Sequence, residues 1–282
     1  MEDHNYIKTV GILGLWGKYD MEWILRPDVN VLAGINGSGK STIIRSLVEL
    51  LRSHRLHDAY KGILEGVIVT FENGDVLKSG NGNVLSEHKI DVISTFDNRM
   101  KELEAMQRLS DGAVRTELDW MLYKLQKRYM SYQLEQSRRI ISLLKKGAPE
   151  SEIEEVTEHR TLFFDVMDSL FERTGTKIDR DCDELCFKKA DHRITPYMLS
   201  SGEKQILLIM TTVLTQDNEP YILLMDEPEI SMHFDWQSRL IQDIRMLNPN
   251  VQLIMSTHSP AVIMDGWMGN VTEISDIVVK RR

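Results

Sequence analysis

Apolar and polar positions follow three rhythms along this chain of 282 residues. The first is the short apolar run. "NVLAG" (30–34), "YILLM" (221–225) and "VQLIM" (251–255) are almost free of polar side chains. That pattern predicts strands buried on both faces of a parallel sheet. The second is alternation. In "GVIVTFENGDVLKSG" (66–80) apolar residues alternate on either side of Asn73-Gly74, which predicts an antiparallel hairpin, and "KIDVISTF" (89–96) predicts another short strand. The third is helical. Ile43, Ile44, Leu47, Leu50 and Leu51 mark a helix over 41–54. From 99 to about 170 the pattern is helical again, with Leu118, Leu122, Leu125, Tyr129 and Tyr132 at four-three spacing, a seam for a partner helix. From Leu118 to Leu144 this helix reaches only ~40 Å. The acidic run Glu150 to Glu158 beside it reads as a flexible bend. Strands interleaved with helices place the chain in the α/β class.

Composition narrows the picture. With 42% hydrophobic and 27% charged residues, the chain reads as a soluble globular protein long enough to bury a sizeable core. The net charge of −9 argues against broad attraction to nucleic acid or anionic membrane and leaves room for a local basic patch. Lys124, Lys127, Arg128, Arg138, Arg139, Lys145 and Lys146 form such a patch. A solvated helix face is its ordinary reading, with nucleic acid as a candidate partner. Cys182 and Cys186 are the only cysteines, too few for a disulfide framework, and they read as ordinary thiols. No apolar stretch approaches the ~18–20 residues needed to span a bilayer. The polar start "MEDHNYIKTV" is unlike a secretory signal. The expectation is a cytoplasmic protein without a membrane partner.

Chemistry enters with "VLAGINGSGKST" (31–42). Gly34-x-x-x-x-Gly39-Lys40-Ser41 has the spacing of a phosphate-binding loop, and it stands where such a loop must, between a predicted strand and a predicted helix. The loop residues Gly34, Asn36, Gly37, Ser38, Gly39, Lys40, Ser41 and Thr42 are the expected nucleotide contacts. Backbone N–H groups and a helix dipole converge there on one anion. Lys40 adds charge toward the β and γ phosphates, and Ser41 offers a hydroxyl to Mg²⁺. A plain glycine-rich turn before a helix would not need Lys-Ser-Thr in this register. Asp226 and Glu227 end the apolar run 221–225. At the C-terminal edge of a parallel sheet, Asp226 is placed to hold Mg²⁺ through water and Glu227 to polarise an attacking water as general base.

"LSSGEKQILLIMTTVL" (199–214) sets Ser200, Ser201, Gly202 and Glu203 at the start of a helix-prone run, which reads as a second anion site or, taken alone, as a good helix cap. In order after the phosphate loop and before Asp226-Glu227, it resembles the signature motif of ABC-type ATPases. Ser200 matches the signature serine and Gly202 its second glycine, while Ser201 replaces the first glycine. The Gly-Glu-Lys form is similar to that of the SMC, RecF and OLD branch, including the small AAA_15/AAA_21-type proteins found in bacterial anti-phage systems. "EISMHFDWQ" (229–237) resembles the D-loop of that branch, with His233 where transporters commonly carry Asp, and His258 in "STHSP" resembles the switch histidine that contacts the γ phosphate.

The resemblance implies an ABC-type ATPase head with a mixed sheet, an antiparallel β subdomain and an inserted helical lobe. Residues 1–98 and 196–282 would form the ATP-binding lobe, and 99–195 the helical one. It implies ATP and Mg²⁺ as ligands and ATP hydrolysis as the activity. It further implies a head-to-tail homodimer through two ATP molecules, in which Ser200, Ser201, Gly202 and Glu203 act on the partner chain's nucleotide. The glutamine that the resemblance places after the strand 89–96 is missing, and Asp97 or Asn98 stands there. About twenty-four residues follow His258, too few for a nuclease domain of the OLD kind, so the expected effector is a separate protein. Two other readings stay open. One is a DNA-binding repair ATPase of RecF type. The other is a transporter's nucleotide-binding subunit, which Gly-Glu-Lys and His233 disfavour.

Overall fold

The computed structural model describes residues 6–80, 88–94 and 114–281. They fall into two compact units. One comprises Met1–Thr95, Glu219–Ile230 and Asn250–Arg282, the other Phe96–Asn218 and Ser231–Pro249.

The first unit contains two sheets. The antiparallel one has the strand order β13-β2-β1-β4-β5, from β1 (Ile7–Leu15), β2 (Tyr19–Ile24), β4 (Gly66–Phe71), β5 (Val76–Lys78) and β13 (Val278–Arg281). The predicted hairpin is β4–β5, with Val69 opposite Leu77 and Gly74 at φ 90 in the turn. Between β1 and β2 the chain reverses through Trp16 and Gly17, both with positive φ (53 and 67). The Lys18 N–H donates to the Leu15 carbonyl (3.0 Å), closing a turn whose two central residues have the positive φ that suits the right-handed twist of the flanking strands. The second sheet is parallel throughout, in the order β12-β3-β11-β10-β6: β3 (Val29–Ala33), β6 (Ile90–Ser94), β10 (Ile222–Asp226), β11 (Gln252–Ser256) and β12 (Val271–Glu273). Its three predicted apolar runs became adjacent central strands. Helix α1 (Lys40–Ser53) lies in one core with both sheets, where Ile43, Ile44, Leu47 and Leu50 are buried among Val67, Val69, Leu224 and Ile254. At about 1.5–3 kcal/mol per fully buried aliphatic side chain, these four hold α1 by several kcal/mol.

The second unit is mainly helical: α2 (Glu117–Lys146), α3 (Glu150–Phe171), α4 (Ser201–Leu214) and α5 (Phe234–Leu247), with a small sheet of β7 (Thr176–Ile178), β8 (Phe187–Lys189) and β9 (His192–Ile194). The seam read from the sequence is buried at Leu122, Leu125, Tyr129 and Tyr132. The acidic run is not a bend. Glu150 and Glu152 occupy the first turn of α3, where negative charge complements the helix dipole. Pro149 precedes them as the N-cap residue, and the reversal from α2 is made at Gly147, φ 67. Among the described residues no helix is long and apolar enough to cross a membrane. Asp97 and Asn98 lie outside the described residues.

Candidate nucleotide-binding site

Three strands of the parallel sheet deliver their chemistry to one edge. β3 runs into the glycine loop, β10 ends in Asp226, and β11 ends in Ser256, which is paired in register with Asp226. A cavity of about 400 Å³ opens at this edge. Gly37, Gly39, Lys40, Ser41 and Thr42 line it from the loop and the start of α1, with Asn36 at the loop's crest. Glu227 and His258 face them.

The loop is shaped for an anion. Gly39 is the N-cap of α1 with φ 104, and a Cβ there would meet the rings and methyls of Trp16 and Leu15 at 3.0–3.3 Å, so only glycine fits. α1 has no side-chain cap and no acidic residue in its first turn. Its first amides therefore lack an intrahelical acceptor at the positive end of the dipole. The Ser38 hydroxyl inside the loop is buried with no hydrogen-bond partner among the described residues. Lys40 is 3% exposed, and its ammonium donates to the carbonyls of Gly34 (2.8 Å) and Ile35 (3.1 Å). Burial lowers the Lys40 pKa, against the pull of Glu227, Asp226, Glu273 and Glu229. Uncapped amides, an orphaned hydroxyl and a buried cation on neutral carbonyls fit a phosphate chain.

The opposite wall is acidic and tightly bonded. Asp226 Oδ1 accepts from Ser41 Oγ (2.9 Å) and Ser256 Oγ (2.7 Å), and Oδ2 pairs with Arg45 Nε (3.0 Å). Serine hydroxyl and carboxylate at 2.9 Å form a hard-oxygen donor pair that suits Mg²⁺. Glu227 leaves the sheet in the left-handed region (φ 49), its N–H held by the Ser256 carbonyl (3.1 Å). Its carboxylate reaches His258 Nε2 at 2.5 Å.

Sequence reasoning passed over three residues here. Glu229 accepts from the Thr257 hydroxyl (2.5 Å) and the His258 amide (3.0 Å), and so fixes the backbone that carries His258. Arg45 and Ser256 bond Asp226. Glu229 stands two residues beyond Asp226-Glu227 and Ser256 two before His258, so motif proximity was a usable signal. Arg45 had none. Trp16 sits at the cavity's edge, 41% exposed, whereas Trp23 is buried in the core.

The signature residues lie in the second unit. Ser200 caps α4: its hydroxyl accepts from Glu203 N (3.3 Å), and Glu203 Oε2 takes the Ser200 amide (2.9 Å) and hydroxyl (2.8 Å). Burial raises the Glu203 pKa, and its bonds to Ser200 and Thr174 outweigh burial, so the carboxyl titrates below its ordinary value. The expected second anion site thus already holds the chain's own carboxylate. Gly202 has a packing reason as well. A Cβ there would lie 2.4 Å from the Ser231 carbonyl oxygen. Ser231 and His233, in the stretch that resembles a D-loop, precede α5, with Ser231 in the left-handed region (φ 70) and His233 as N-cap.

Comparison with known proteins agrees with this geometry. The chain belongs to the AAA_21 family, described as "AAA domain, putative AbiEii toxin, Type IV TA system", whose model matches residues 51–265. It is similar to the Retron Vc95 probable ATPase of Vibrio cholerae, 34% identical over 86 residues, 27% of this chain and 17% of that one. It is also similar to Septu protein PtuA of Bacillus thuringiensis, 21% identical over 98% of this chain and 78% of that one. Relatives matched over a short stretch are covered only in small part, 12% to 24% of their length. Its fold is that of a solved SMC head bound to the C-winged helix domain of ScpA: TM-score 0.55 at 14% identity, over 95% of this chain and 93% of that one. The chain is accordingly an AAA-domain protein with the fold of a solved SMC head, similar over a short stretch to a protein named as a probable ATPase.

Proposed function

We propose that this protein is a cytoplasmic ATPase whose ATP-driven, head-to-tail dimerisation controls a separate effector in anti-phage defence. The observation that carries the reading is the convergence on one cavity of an uncapped helix N-terminus, buried Lys40, the Ser41–Asp226 pair and the Glu227–His258 pair.

The roles follow from position. The amides from Gly37 to Thr42 and the Lys40 ammonium bind the phosphates of ATP. Ser41 and Asp226 would hold Mg²⁺, which on binding with nucleotide supplies charge neutralisation at the phosphate oxygens. Glu227 accepts the proton of the attacking water. His258, held by Glu229 through its own backbone, bonds the Glu227 carboxylate through Nε2 and would turn that N–H toward the γ phosphate when nucleotide is bound. Trp16 offers a ring face to the base.

Dimerisation draws support from the signature unit. Met198 (68% exposed) and Phe234 (59%) flank the Ser200–Gly202 loop and the D-loop in sequence. Large apolar side chains left in water beside motif residues suit a protein-facing surface. The likeness to the retron ATPase and PtuA supports the defence setting and the separate effector. A nucleic-acid partner gains less support. Lys124 and Lys127 lie over the rings of Trp120 and Tyr123, and Arg139 pairs with Asp217 at 2.6 Å, so part of the basic face of α2 is already engaged.

Calorimetry and phosphate release on two variants test the site. Lys40→Ala is expected to lose measurable ATP binding while staying folded. Glu227→Gln is expected to bind ATP as wild type and to lose hydrolysis by 10²-fold or more, about the contribution of a positioned base. Unchanged affinity in Lys40→Ala, or wild-type turnover in Glu227→Gln, would remove these residues from the site.

A further inference from the structure

Asp226, beside the cavity, is bonded by Ser41, Ser256 and Arg45. It is 4% exposed at the side chain, and both Ser41 and Arg45 reach it from α1. Ser41 Oγ bonds it directly at 2.9 Å. Arg45 lies four residues beyond Ser41, one turn along the same face of α1, and its Nε sits 3.0 Å from Oδ2. A guanidinium on a nearly buried carboxylate compensates its charge, which would otherwise be costly to bury. The same side chain is 36% exposed, so it has open space in which to swing. A second acid waits there. Glu49 is one further turn along α1, and Glu49, Arg45 and Asp226 all act on the phenol of Tyr60, which places the four groups in one neighbourhood.

We propose that Arg45 is the built-in counter-cation of the metal-ligating carboxylate: it occupies Asp226 in the nucleotide-free protein, and a divalent ion entering with nucleotide displaces it toward Glu49. This rests on the reading of Ser41 and Asp226 as the metal pair. Lys40, Asp226, Glu227, Glu229 and Glu273 share one electrostatic neighbourhood, where acids outnumber the lysine. Without Arg45 that neighbourhood would attract a free divalent ion and trap it unproductively. With Arg45 seated, metal binds well only when the nucleotide brings its own negative charge.

The test uses Mn²⁺ as the probe, read by the loss of its free-ion electron paramagnetic resonance signal on titration into the nucleotide-free full chain. Wild type is expected to bind weakly. Arg45→Gln, which keeps much of the shape without charge, should bind roughly tenfold tighter, the scale of losing one charge-assisted bond. Arg45→Lys, which keeps the charge, should stay near wild type. Arg45→Gln with Asp226→Asn should lose the gain. Equal or weaker Mn²⁺ binding in Arg45→Gln, or a gain that survives Asp226→Asn, would overturn the proposal. Thermal melts establish folding, with Arg45→Ala as the substitute if Arg45→Gln melts early. Mn²⁺ titration with ATP in wild type and Asp226→Asn separates the two readings. If Asp226→Asn has no effect there, the metal pair itself is wrong. If it weakens binding while Arg45→Gln behaves as wild type without nucleotide, only the counter-cation role is wrong.

Discussion

Lys40 and Glu227 show what the site costs the fold. A buried ammonium resting on two carbonyls has lost water without gaining an anion, and a non-glycine residue at φ 49 costs about 1–3 kcal/mol in backbone strain. Both costs make sense where a ligand completes the arrangement. For Lys40 this has a measurable sign. Burial holds its pKa below the ordinary 10.5 in the free protein. Phosphate favours the charged form, so nucleotide binding must raise the pKa and take up a fraction of a proton in the window just below 10.5. Calorimetry of ATP binding in two buffers of different ionisation enthalpy should show proton uptake that grows as pH rises toward that window and is negligible near neutrality. Zero uptake across the alkaline range would mean that Lys40 does not face the phosphates.

Elements were more legible than contacts. The apolar runs and the glycine spacing located β3, β10, β11 and α1, because buried parallel strands and a helix-capped anion site leave strong local patterns. The hairpin β4–β5 and the seam of α2 were equally plain. The start of α3 was misread, since a run of glutamates resembles a solvated bend until its place at a helix N-terminus is known. Arg45 on Asp226, Glu229 on His258 and Lys204 on Asp119 could not be read, because each joins residues far apart in sequence or lies within a helix whose facing is unknown beforehand. The last pair ties the α4 N-terminus to the start of α2: Lys204 Nζ lies 2.7 Å from Asp119 Oδ1, at 12% and 3% exposure. Asp119 also closes a capping box with Thr116. Burial raises its pKa, and the bonds from Lys204, the Arg115 amide and Thr116 outweigh burial, so it titrates below its ordinary 3.8. A depressed folded value means the pair's contribution is complete above the unfolded pKa and lost as pH falls through the folded one. Lys204→Met, which strands the carboxylate, should cost about 3 kcal/mol at neutral pH. Its penalty should shrink below pH 3.8, as Asp119 becomes protonated. Denaturant melts of variant and wild type at neutral pH and in acid check both, and a penalty independent of pH would show that lost packing, not charge, is responsible.

For the molecule as a whole, the proposed dimer asks the signature loop to do two jobs. In the single chain Ser200 and Glu203 satisfy each other through the Ser200 amide and hydroxyl and the Glu203 amide. In the dimer the same helix start would meet the γ phosphate of a neighbour's ATP. Ser200 can do both by redirecting its one proton: in the single chain the hydroxyl donates to Glu203 Oε2 (2.8 Å), and in the dimer it would donate to the phosphate while still accepting from Glu203 N. A large cation cannot enter so small a contact, and it also removes the cap, at about 1 kcal/mol. Cap loss and blocked closure must therefore be separated. In the Glu227→Gln background, where ATP is held unhydrolysed, sedimentation with saturating ATP should show a dimer. Adding Ser200→Arg should leave ATP affinity unchanged, because the phosphates are bound by the chain's own loop, and should return the protein to a monomer. Adding Ser200→Thr, which keeps both the hydroxyl and the cap, should preserve the dimer. Ser200→Ala, which loses the cap but adds no bulk, should fall between them and report what the cap alone is worth. If Ser200→Arg sediments as a dimer with ATP, closure does not pass through the signature loop, and the head-to-tail arrangement is the wrong assembly for this chain.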